Sequence, residues 1–153
     1  MFRAPRTLFR TLAFAEAVSW TLLITGLILR ATAGLDAAVS IGGGIHGFVF
    51  LSYAATAVVV AKNNRWRPWP TAVAVVSAVI PYATIPAEIW LNRTGRLAGQ
   101  WRVAETGDPR ERTWHDRIFR TLLRHPLLFG LALAVGVVVV FTVLLIIGPP
   151  GGR

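Results

Sequence analysis

Four long apolar stretches constrain the fold of this chain more than any other feature of its sequence. They are residues 11–29, 41–61, 68–91 and 126–147. Together they contain only two charged side chains, Glu16 and Glu88. A helix needs about 20 apolar residues to cross the hydrocarbon layer of a bilayer, and each stretch reaches that length. We therefore predict an all-α integral membrane protein with four transmembrane helices.

The composition supports this class and excludes others. Hydrophobic residues make up 54% of the chain and charged residues 15%, whereas soluble domains carry about 25% charged residues. A transmembrane barrel is excluded because its strands alternate polar and apolar residues. The absence of cysteine excludes disulfides and thiolate chemistry. We predict a three-helix membrane core over residues 1–92, a basic connecting loop over 93–125 and a C-terminal membrane helix over 126–147.

The N-terminus resembles a signal peptide, because Arg3, Arg6 and Arg10 precede an apolar segment. A signal peptide has an apolar core of about 7–15 residues. The segment here is longer, and it contains Glu16. We interpret it as an uncleaved first membrane helix.

The distribution of positive residues does not fit four membrane spans cleanly. Positive residues accumulate on the cytoplasmic side, which predicts a cytoplasmic N-terminus and a cytoplasmic second connection, KNNRWRPWP. If residues 68–91 span the membrane, the eight arginines of residues 92–125 lie outside, and seven positive residues inside face nine outside. Alternatively, Pro81 and Pro86 break this segment into a re-entrant hairpin. We favour four spans and leave the side of the long loop open.

Within the loop, residues 114–125 (WHDRIFRTLLRH) have the pattern of a basic amphipathic helix. Such a helix can lie in the headgroup layer, or it can extend the last membrane helix as far as Pro126. Periodicity does not choose between the two. In either arrangement Arg117, Arg120 and Arg124 suit anionic lipid headgroups or an acidic partner.

The second stretch opens with glycines that favour close packing between helices. Gly43 and Gly47 form a G-x-x-x-G pair, and Ser40 and Gly44 form a second pair of small residues. Helices associate in membranes where small residues let their backbones approach. We predict that Gly43, Gly44 and Gly47 contact another helix of this chain or of a partner.

Each of the first three stretches carries one polar stripe at helical spacing, and the fourth carries none. The stripes predict an intramembrane polar cluster that contains Glu16, Ser19, His46, Tyr53, Ser77, Thr84 and Glu88. The three helices that carry them form the core, and the fourth helix is peripheral.

Depth in the bilayer suggests which of these residues meet. With four spans and a rise of about 1.5 Å per residue, Glu16 lies level with Tyr53, and His46 lies level with residues 84–88. We expect these pairs and no direct contact between Glu16 and His46. Ionisable groups at membrane depth mark functional sites by default; the alternative is that they are structural hydrogen-bonding groups.

Other site chemistries find no support in the sequence. One membrane histidine and two separated carboxylates are too few for a metal or haem site. No G-x-S-x-G, H-E-x-x-H or P-loop pattern occurs. The charge of +9 flanks membrane segments, which does not suit nucleic-acid binding. We predict no cofactor and no nucleic-acid partner.

Three segments together resemble a small bacterial membrane-protein family known only as a domain of unknown function. They are AFAEAVSWTLLITGLILR, GGGIHGFVFLSY and SAVIPYATIPAE. The family has three helices with E-x-x-S, H-G-x-x-F-x-x-Y and P-F-G-T-F motifs, and the resemblance covers about residues 6–92. The matching positions are Glu16, Ser19, His46, Gly47, Phe50, Tyr53, Ser77, Pro81 and Thr84.

The chain departs from this pattern in its third motif. Tyr82 and Ala83 replace phenylalanine and glycine, and Ile85 followed by Pro86 replaces the final phenylalanine. The basic loop and the fourth helix lie outside the family core. The resemblance implies a membrane location in a bacterial cell, and it implies no reaction.

Three functions compete at this point. The first is a non-catalytic accessory or assembly subunit that packs on a larger membrane complex, with the lipid bilayer, anionic lipids and a membrane protein or a second copy as partners. The second is an oligomeric transporter or proton-conducting element that uses Glu16, Tyr53, His46 and Glu88. The third is a lipid-handling enzyme with His46 as a base. Small size, glycine surfaces and the missing catalytic set favour the first.

Overall fold

The computed structural model describes residues 4–104 and 113–148, and within these ranges it contains six helices and no strand. The helices are α1 (Pro5–Ala33), α2 (Asp36–Asn63), α3 (Pro68–Ser77), α4 (Thr84–Arg93), α5 (Trp114–Arg124) and α6 (Pro126–Ile147). The all-α prediction is confirmed for the described residues.

The first two helices form a long antiparallel pair. α1 begins at Pro5, where a proline loses no helical hydrogen bond. Its last residue is Ala33, and Gly34 caps it with a φ of 67°, the left-handed conformation that glycine adopts without strain. Arg30 and Asp36 form an ion pair of 3.0 Å across the short connection.

Three helices are long and apolar enough to cross a membrane, namely α1, α2 and α6. The predicted fourth span over residues 68–91 is not a single helix, since α3 ends at Ser77 and α4 begins at Thr84. Each of these two helices has 10 residues and is therefore about 15 Å long. That is half of the thickness of a bilayer's hydrocarbon layer.

Two prolines explain the break. Pro81 lacks an N–H group and disfavours helical geometry at Ile80 before it. Tyr82 then adopts a left-handed conformation with φ of 63°, and helical structure resumes at Thr84. Pro86 is tolerated because it lies in the first turn of α4, where its missing N–H costs no bond.

The segment turns back instead of crossing. At its turn, the indole Nε1 of Trp20 in α1 donates a hydrogen bond of 3.3 Å to the carbonyl of Ala78. After α4, the Arg96 carbonyl accepts bonds from Asn64 Nδ2 (2.6 Å) and Trp66 Nε1 (2.8 Å), which follow the end of α2. Residues 68–93, which we call the α3–α4 hairpin, therefore enter and leave at one end of the α1–α2 pair. The arrangement that we considered as the alternative is the one found in the structure.

This topology gathers the positive charge. The end at which α1 begins and α2 finishes, which we call the basic end, carries every described arginine and lysine except Arg30. These residues are Arg6, Arg10, Lys62, Arg65, Arg67, Arg93, Arg96, Arg102, Arg117, Arg120 and Arg124. A chain path with three crossings would remove the conflict in the charge count.

α5 is separate from α6, because the chain breaks at His125, which has φ of −115° and ψ of 79°. Asp116 attaches α5 to the basic end through Lys62 (3.6 Å) and Arg102 (4.0 Å). Of the three arginines expected to contact lipid or a partner, Arg120 is buried, while Arg117 and Arg124 are exposed. The Arg124 guanidinium also donates a 3.0 Å hydrogen bond to the Val103 carbonyl. α5 does not present one uniform basic face.

α6 is peripheral, as expected for a helix without a polar stripe. Val137 is its only buried residue. It contacts α2 through an edge-to-face pair of Phe48 and Phe141, with ring centroids 5.9 Å apart. Near the basic end, Phe129 lies 6.0 Å from the ring of Trp101.

The hydrophobic core lies between α1, α2 and the α3–α4 hairpin, toward the basic end. It contains Phe9, Ala13, Tyr53, Ala57, Val60, Ala74, Ala78, Leu91 and Leu97. Leu97 comes from the loop after α4, so this loop is part of the folded core.

Candidate functional site

The close contact between α1 and α2 depends on two glycines outside the predicted set. A Cβ atom on Gly26 would lie 2.6 Å from the carbonyl oxygen of Ala38, and one on Gly42 would lie 2.8 Å from that of Leu22. Both distances are to backbone, which cannot move aside as a flexible side chain can. Gly26 and Gly42 therefore set the separation of the two helices.

The glycines selected from the sequence have other surroundings. A Cβ on Gly44 would meet no atom within 4 Å, and one on Gly43 would lie 3.8 Å from the Leu23 side chain. A Cβ on Gly47 would lie 3.3 Å from the Phe141 ring of α6. Within the described part of the chain, Gly44 contacts no other helix, so its predicted contact stays a prediction for a partner. At the α1–α2 interface the close-packed glycine of α2 is Gly42, one residue before the predicted Gly43.

The close helix approach brings Ser19 and His46 together. Ser19 Oγ lies 2.9 Å from His46 Nδ1 and donates a 2.8 Å hydrogen bond to the Glu16 carbonyl. In the Nδ1–H tautomer of His46, Ser19 donates to that carbonyl and accepts from the imidazole. The imidazole ring also packs on Trp20, with centroids 4.4 Å apart.

Thr84 joins α1 to the α3–α4 hairpin. Its hydroxyl lies 3.1 Å from the Ala13 carbonyl and 3.2 Å from Glu16 Oε2, and its one proton is shared between these two acceptors. Both Glu16 and Thr84 have no exposed surface. A hydrogen bond between buried groups avoids the cost of leaving either one unsatisfied.

Tyr53 joins α2 to the same hairpin. The Ser77 hydroxyl donates a 2.7 Å bond to the Ala74 carbonyl, so the Tyr53 hydroxyl, 3.2 Å away, donates to Ser77 Oγ. Tyr53 is fully buried, and its ring contacts that of Phe9 with centroids 5.4 Å apart.

These partners differ from the predicted ones. We expected Glu16 beside Tyr53 and His46 beside residues 84–88, whereas Glu16 bonds to Thr84 and His46 bonds to Ser19. The expected depths assumed that residues 68–91 cross the membrane. Because the hairpin turns back, Thr84 lies at the level of Glu16 instead of the level of His46.

Two carboxylate oxygens have no hydrogen-bond partner among the described residues. They are Oε1 of Glu16 and Oε1 of Glu88. Glu88, in α4, is 5% exposed. In the same described part of the chain, no group of three or more His, Asp or Glu side chains could hold a metal ion.

Sequence reasoning missed a second polar cluster, at the basic end. Asn63 is 1% exposed; its Nδ2 donates to the Gln100 carbonyl (3.1 Å), and its Oδ1 accepts from the Arg102 N–H (2.9 Å). Arg102 Nε donates a 2.6 Å bond to the Asn63 carbonyl at the end of α2. The adjacent asparagines of KNNRWRP indicated a helix end, but they did not indicate which loop would bind there.

Comparison with known proteins covers the first part of the chain. A family model described as a domain of unknown function (DUF3817) matches residues 6–93. A protein of Streptomyces coelicolor, named as a candidate membrane protein, is 38% identical over 91 residues, which are 58% of this chain and 11% of that protein. The match thus spans about a tenth of the relative's length. No solved structure matches the chain.

Proposed function

The chain belongs to the DUF3817 family of membrane proteins, and from this premise we propose that it is a non-catalytic subunit that packs on a larger membrane complex. The family membership confirms the resemblance to a domain of unknown function. In this role Glu16 with Thr84 and Tyr53 with Ser77 hold the α3–α4 hairpin against α1 and α2, and Ser19 with His46 joins α1 to α2. The proposal assigns the exposed side of that hairpin to a partner.

The observation that carries the proposal is the exposed turn of the hairpin. Trp20, which contacts this turn, lies ten residues beyond Arg10 in α1, or about 15 Å along the helix axis. That distance is half of the hydrocarbon thickness, so the turn lies near the middle of the bilayer. Val79 and Ile80 in the turn are 62% and 56% exposed.

Non-helical backbone at membrane depth is tolerated only where protein or a water-filled cavity covers it, because lipid offers no hydrogen bonds. Within the described residues, only one side of this turn is covered, by Trp20 and Thr21 of α1. The N–H groups of Ala78, Val79 and Ile80 bond to carbonyls of the preceding turn of α3, so protein from outside the fold would shield the other side from lipid rather than supply missing hydrogen bonds. A membrane partner that packs on the hairpin would supply that cover.

Two further observations agree with a packing role. The hydrogen bonds of Glu16, Ser19, Tyr53, Ser77 and Thr84 end on one another, on His46 or on the backbone. The pocket at the basic end, of about 630 Å³, and the groove beside α6, of about 310 Å³, are lined by other residues. The polar cluster therefore does not open into these two spaces. Of its members, Ser77 lines a third groove, of about 430 Å³, between α3 and α4.

We infer three spans and one re-entrant hairpin in a bacterial cell membrane, with the basic end in the cytoplasm. The concentration of arginines at that end supports this orientation. Trp69, 71% exposed near the start of α3, suits the membrane–water interface, where tryptophan is enriched.

Photo-crosslinking in the native membrane tests the proposal. Ile80 in the turn and Ile28 in α1 are both 56% exposed, so a photoreactive amino acid at either position has equal access to its surroundings. We expect position 80 to give a discrete adduct with another membrane protein and position 28 to give lipid adducts. Lipid adducts alone at both positions would contradict the proposal. An adduct with a second copy of the chain would show that the partner is a homo-oligomer and not a larger complex.

A proton-conducting role is the second candidate, because Oε1 of Glu16 and of Glu88 are buried without a partner. Carboxyl groups at membrane depth are costly and recur in proton pathways. Flux in liposomes distinguishes the two functions. Under the packing proposal, the unsubstituted chain, Glu16→Gln and His46→Ala all give the proton flux of protein-free liposomes. A conducting element gives a flux above that level, and the two substitutions reduce it.

A further inference from the structure

We propose that the groove beside α6 binds the ring of a membrane-soluble quinone. The groove lies between α6 and the α1–α2 pair, and its volume is about 310 Å³, at the lower end of the range of small-molecule sites. Trp101 and Phe129 line it near the basic end, and Phe48 of α2 lines it farther from that end. None of its lining residues belongs to the α3–α4 hairpin, so this site does not depend on the partner proposed for the hairpin.

α6 leaves this space open at a glycine. The residues of α6 that line the groove share one face of the helix, and they are Pro126, Phe129, Gly130, Leu133, Ala134 and Val137. Gly130 lies near the middle of this face, and a Cβ on it would meet no described atom within 4 Å. Small residues between membrane helices usually allow close contact, but this glycine faces open space. The groove is therefore a gap beside α6 and not a tight helix contact.

Two hydroxyl groups of α2 line the groove, those of Ser52 and Thr56, one helical turn apart. Ser52 Oγ donates a 2.8 Å hydrogen bond to the Phe48 carbonyl. The Thr56 hydroxyl is buried and has no hydrogen-bond partner among the described residues. A threonine in a helix can donate to the carbonyl four residues earlier, which Thr56 does not do. A buried hydroxyl without a partner is costly, and a ligand carbonyl in the groove would accept its proton.

The depth of these hydroxyls favours a quinone over a phospholipid. Thr56 and Ser52 lie six and ten residues before Lys62 in α2, or about 9 and 15 Å along the helix axis. Both hydroxyls therefore lie between the basic end and the middle of the hydrocarbon layer, which is about 30 Å thick. The ester carbonyls of a phospholipid lie outside that layer, next to its headgroup. A quinone carries its carbonyls on an apolar ring, which enters the layer.

The other walls suit a flat and neutral ring. Aromatic rings pack on one another in offset or edge-to-face contacts, and the rings of Trp101 and Phe129, 6.0 Å apart, offer such surfaces. No charged side chain of the described residues lines the groove, which disfavours a fatty acid, because a buried carboxylate needs a partner. Val137 is the only buried residue of α6, so a small shift of this helix gives a ligand carbonyl access to Thr56.

Titration of the full chain in dodecyl maltoside micelles with decylubiquinone tests the proposal, because a quinone ring quenches the fluorescence of a tryptophan that it contacts. We expect quenching that saturates, whereas quenching that only rises linearly with the quinone in the micelle would overturn the proposal. Decylbenzene, which carries the same chain on a ring without oxygen, serves as a competitor. We expect it to displace the quinone at concentrations about tenfold higher than unlabelled quinone requires. Equal displacement would show that any apolar chain fills the groove and would also overturn the proposal.

A pair of glycine variants in α6 locates the binding site. Gly130→Leu places a side chain in the groove, whereas Gly136→Leu makes the same change on α6 at a residue that does not line the groove. A Cβ at either position would meet no described atom within 4 Å, so we expect both variants to fold. We expect Gly130→Leu to weaken quinone binding about tenfold or more, because the leucine occupies the ligand's space, and Gly136→Leu about twofold or less. Equal losses would overturn the proposal.

A pair of threonine variants tests the hydrogen bond, and it also serves if Gly130→Leu loses its monodisperse elution. Thr56→Val removes the buried hydroxyl and keeps the shape of the side chain, and no hydrogen bond of the described residues is lost with it. Thr142→Val makes the same change at an exposed residue of α6 that does not line the groove. We expect Thr56→Val to weaken quinone binding about fivefold, as for the loss of one hydrogen bond, and Thr142→Val less than twofold. Unchanged binding in a monodisperse Thr56→Val variant would overturn the proposal.

Discussion

Replacing Gly42 with valine is expected to separate α1 from α2 and to lower the free energy of unfolding by about 3 kcal/mol. The new Cβ would lie 2.8 Å from the Leu22 carbonyl oxygen, and neither helix backbone can yield without shifting the whole contact. Since Ser19 and His46 meet across this interface, their hydrogen bond would be lost as well. SDS titration in dodecyl maltoside micelles, followed by circular dichroism, measures the change.

Gly44→Val is the matched control for this prediction. It makes the same change of residue two positions further along α2, where a Cβ meets no described atom within 4 Å. Both substitutions carry the same intrinsic change in helix propensity. Equal destabilisation by the two variants would show that close packing at Gly42 does not hold the helices together.

Thr84→Val is expected to lower the free energy of unfolding by about 2 kcal/mol, although valine has nearly the same shape as threonine. The substitution leaves Glu16 Oε2 without the donor that now satisfies it, and a buried unsatisfied acceptor costs about 1–3 kcal/mol. The Ala13 carbonyl lies within α1 and keeps its helical N–H donor. The α3–α4 hairpin would be released first, because this bond attaches it to α1. The same SDS titration measures the loss.

Two controls accompany the Thr84 variant. Thr32→Val removes an exposed hydroxyl that bonds only within α1, and it should change the stability by about 0.5 kcal/mol or less. Glu16→Leu combined with Thr84→Val removes donor and acceptor together and should cost less than the sum of the single changes. Strict additivity would mean that the Thr84–Glu16 bond does not stabilise the fold.

The sequence was sufficient to predict the elements whose signal is local. Apolar length alone identified α1, α2 and α6, since a helix must be about 20 residues long to cross a bilayer. Apolar length could not distinguish a membrane span from a hairpin over residues 68–91, because an apolar stretch of the same length can form either structure. The prolines and the charge count favoured the hairpin, but the cost of irregular backbone in lipid weighed more in the prediction.

The candidate site was predicted in part. Helical periodicity selected side chains that the fold buries, but their partners depend on the depth of each helix, and the assumed fourth crossing placed Thr84 at the wrong level. The glycine of α2 that packs against α1 could also have been predicted from the sequence. Gly42 lies one turn before His46 on the same face of α2, whereas the search for G-x-x-x-G selected Gly43 and Gly47, which lie on another face.

The cluster at the basic end could not have been predicted from the sequence. Asn63 and Arg102 are separated by a whole hairpin, and neither forms part of a motif. Their contact exists only because the α3–α4 hairpin returns the chain to the end of α2. This return is the feature on which the placement of the polar cluster and of the basic end both depend.

Labelling of single cysteines measures the return directly, since the chain contains no cysteine of its own. Arg67→Cys marks the basic end, Leu35→Cys marks the opposite end, and Gln100→Cys reports the position of the loop after α4. With a membrane-impermeant maleimide on right-side-out and inverted vesicles, we expect Gln100→Cys to react from the same side as Arg67→Cys. Reaction of Gln100→Cys from the side of Leu35→Cys would show that residues 68–93 cross the membrane and would contradict the account.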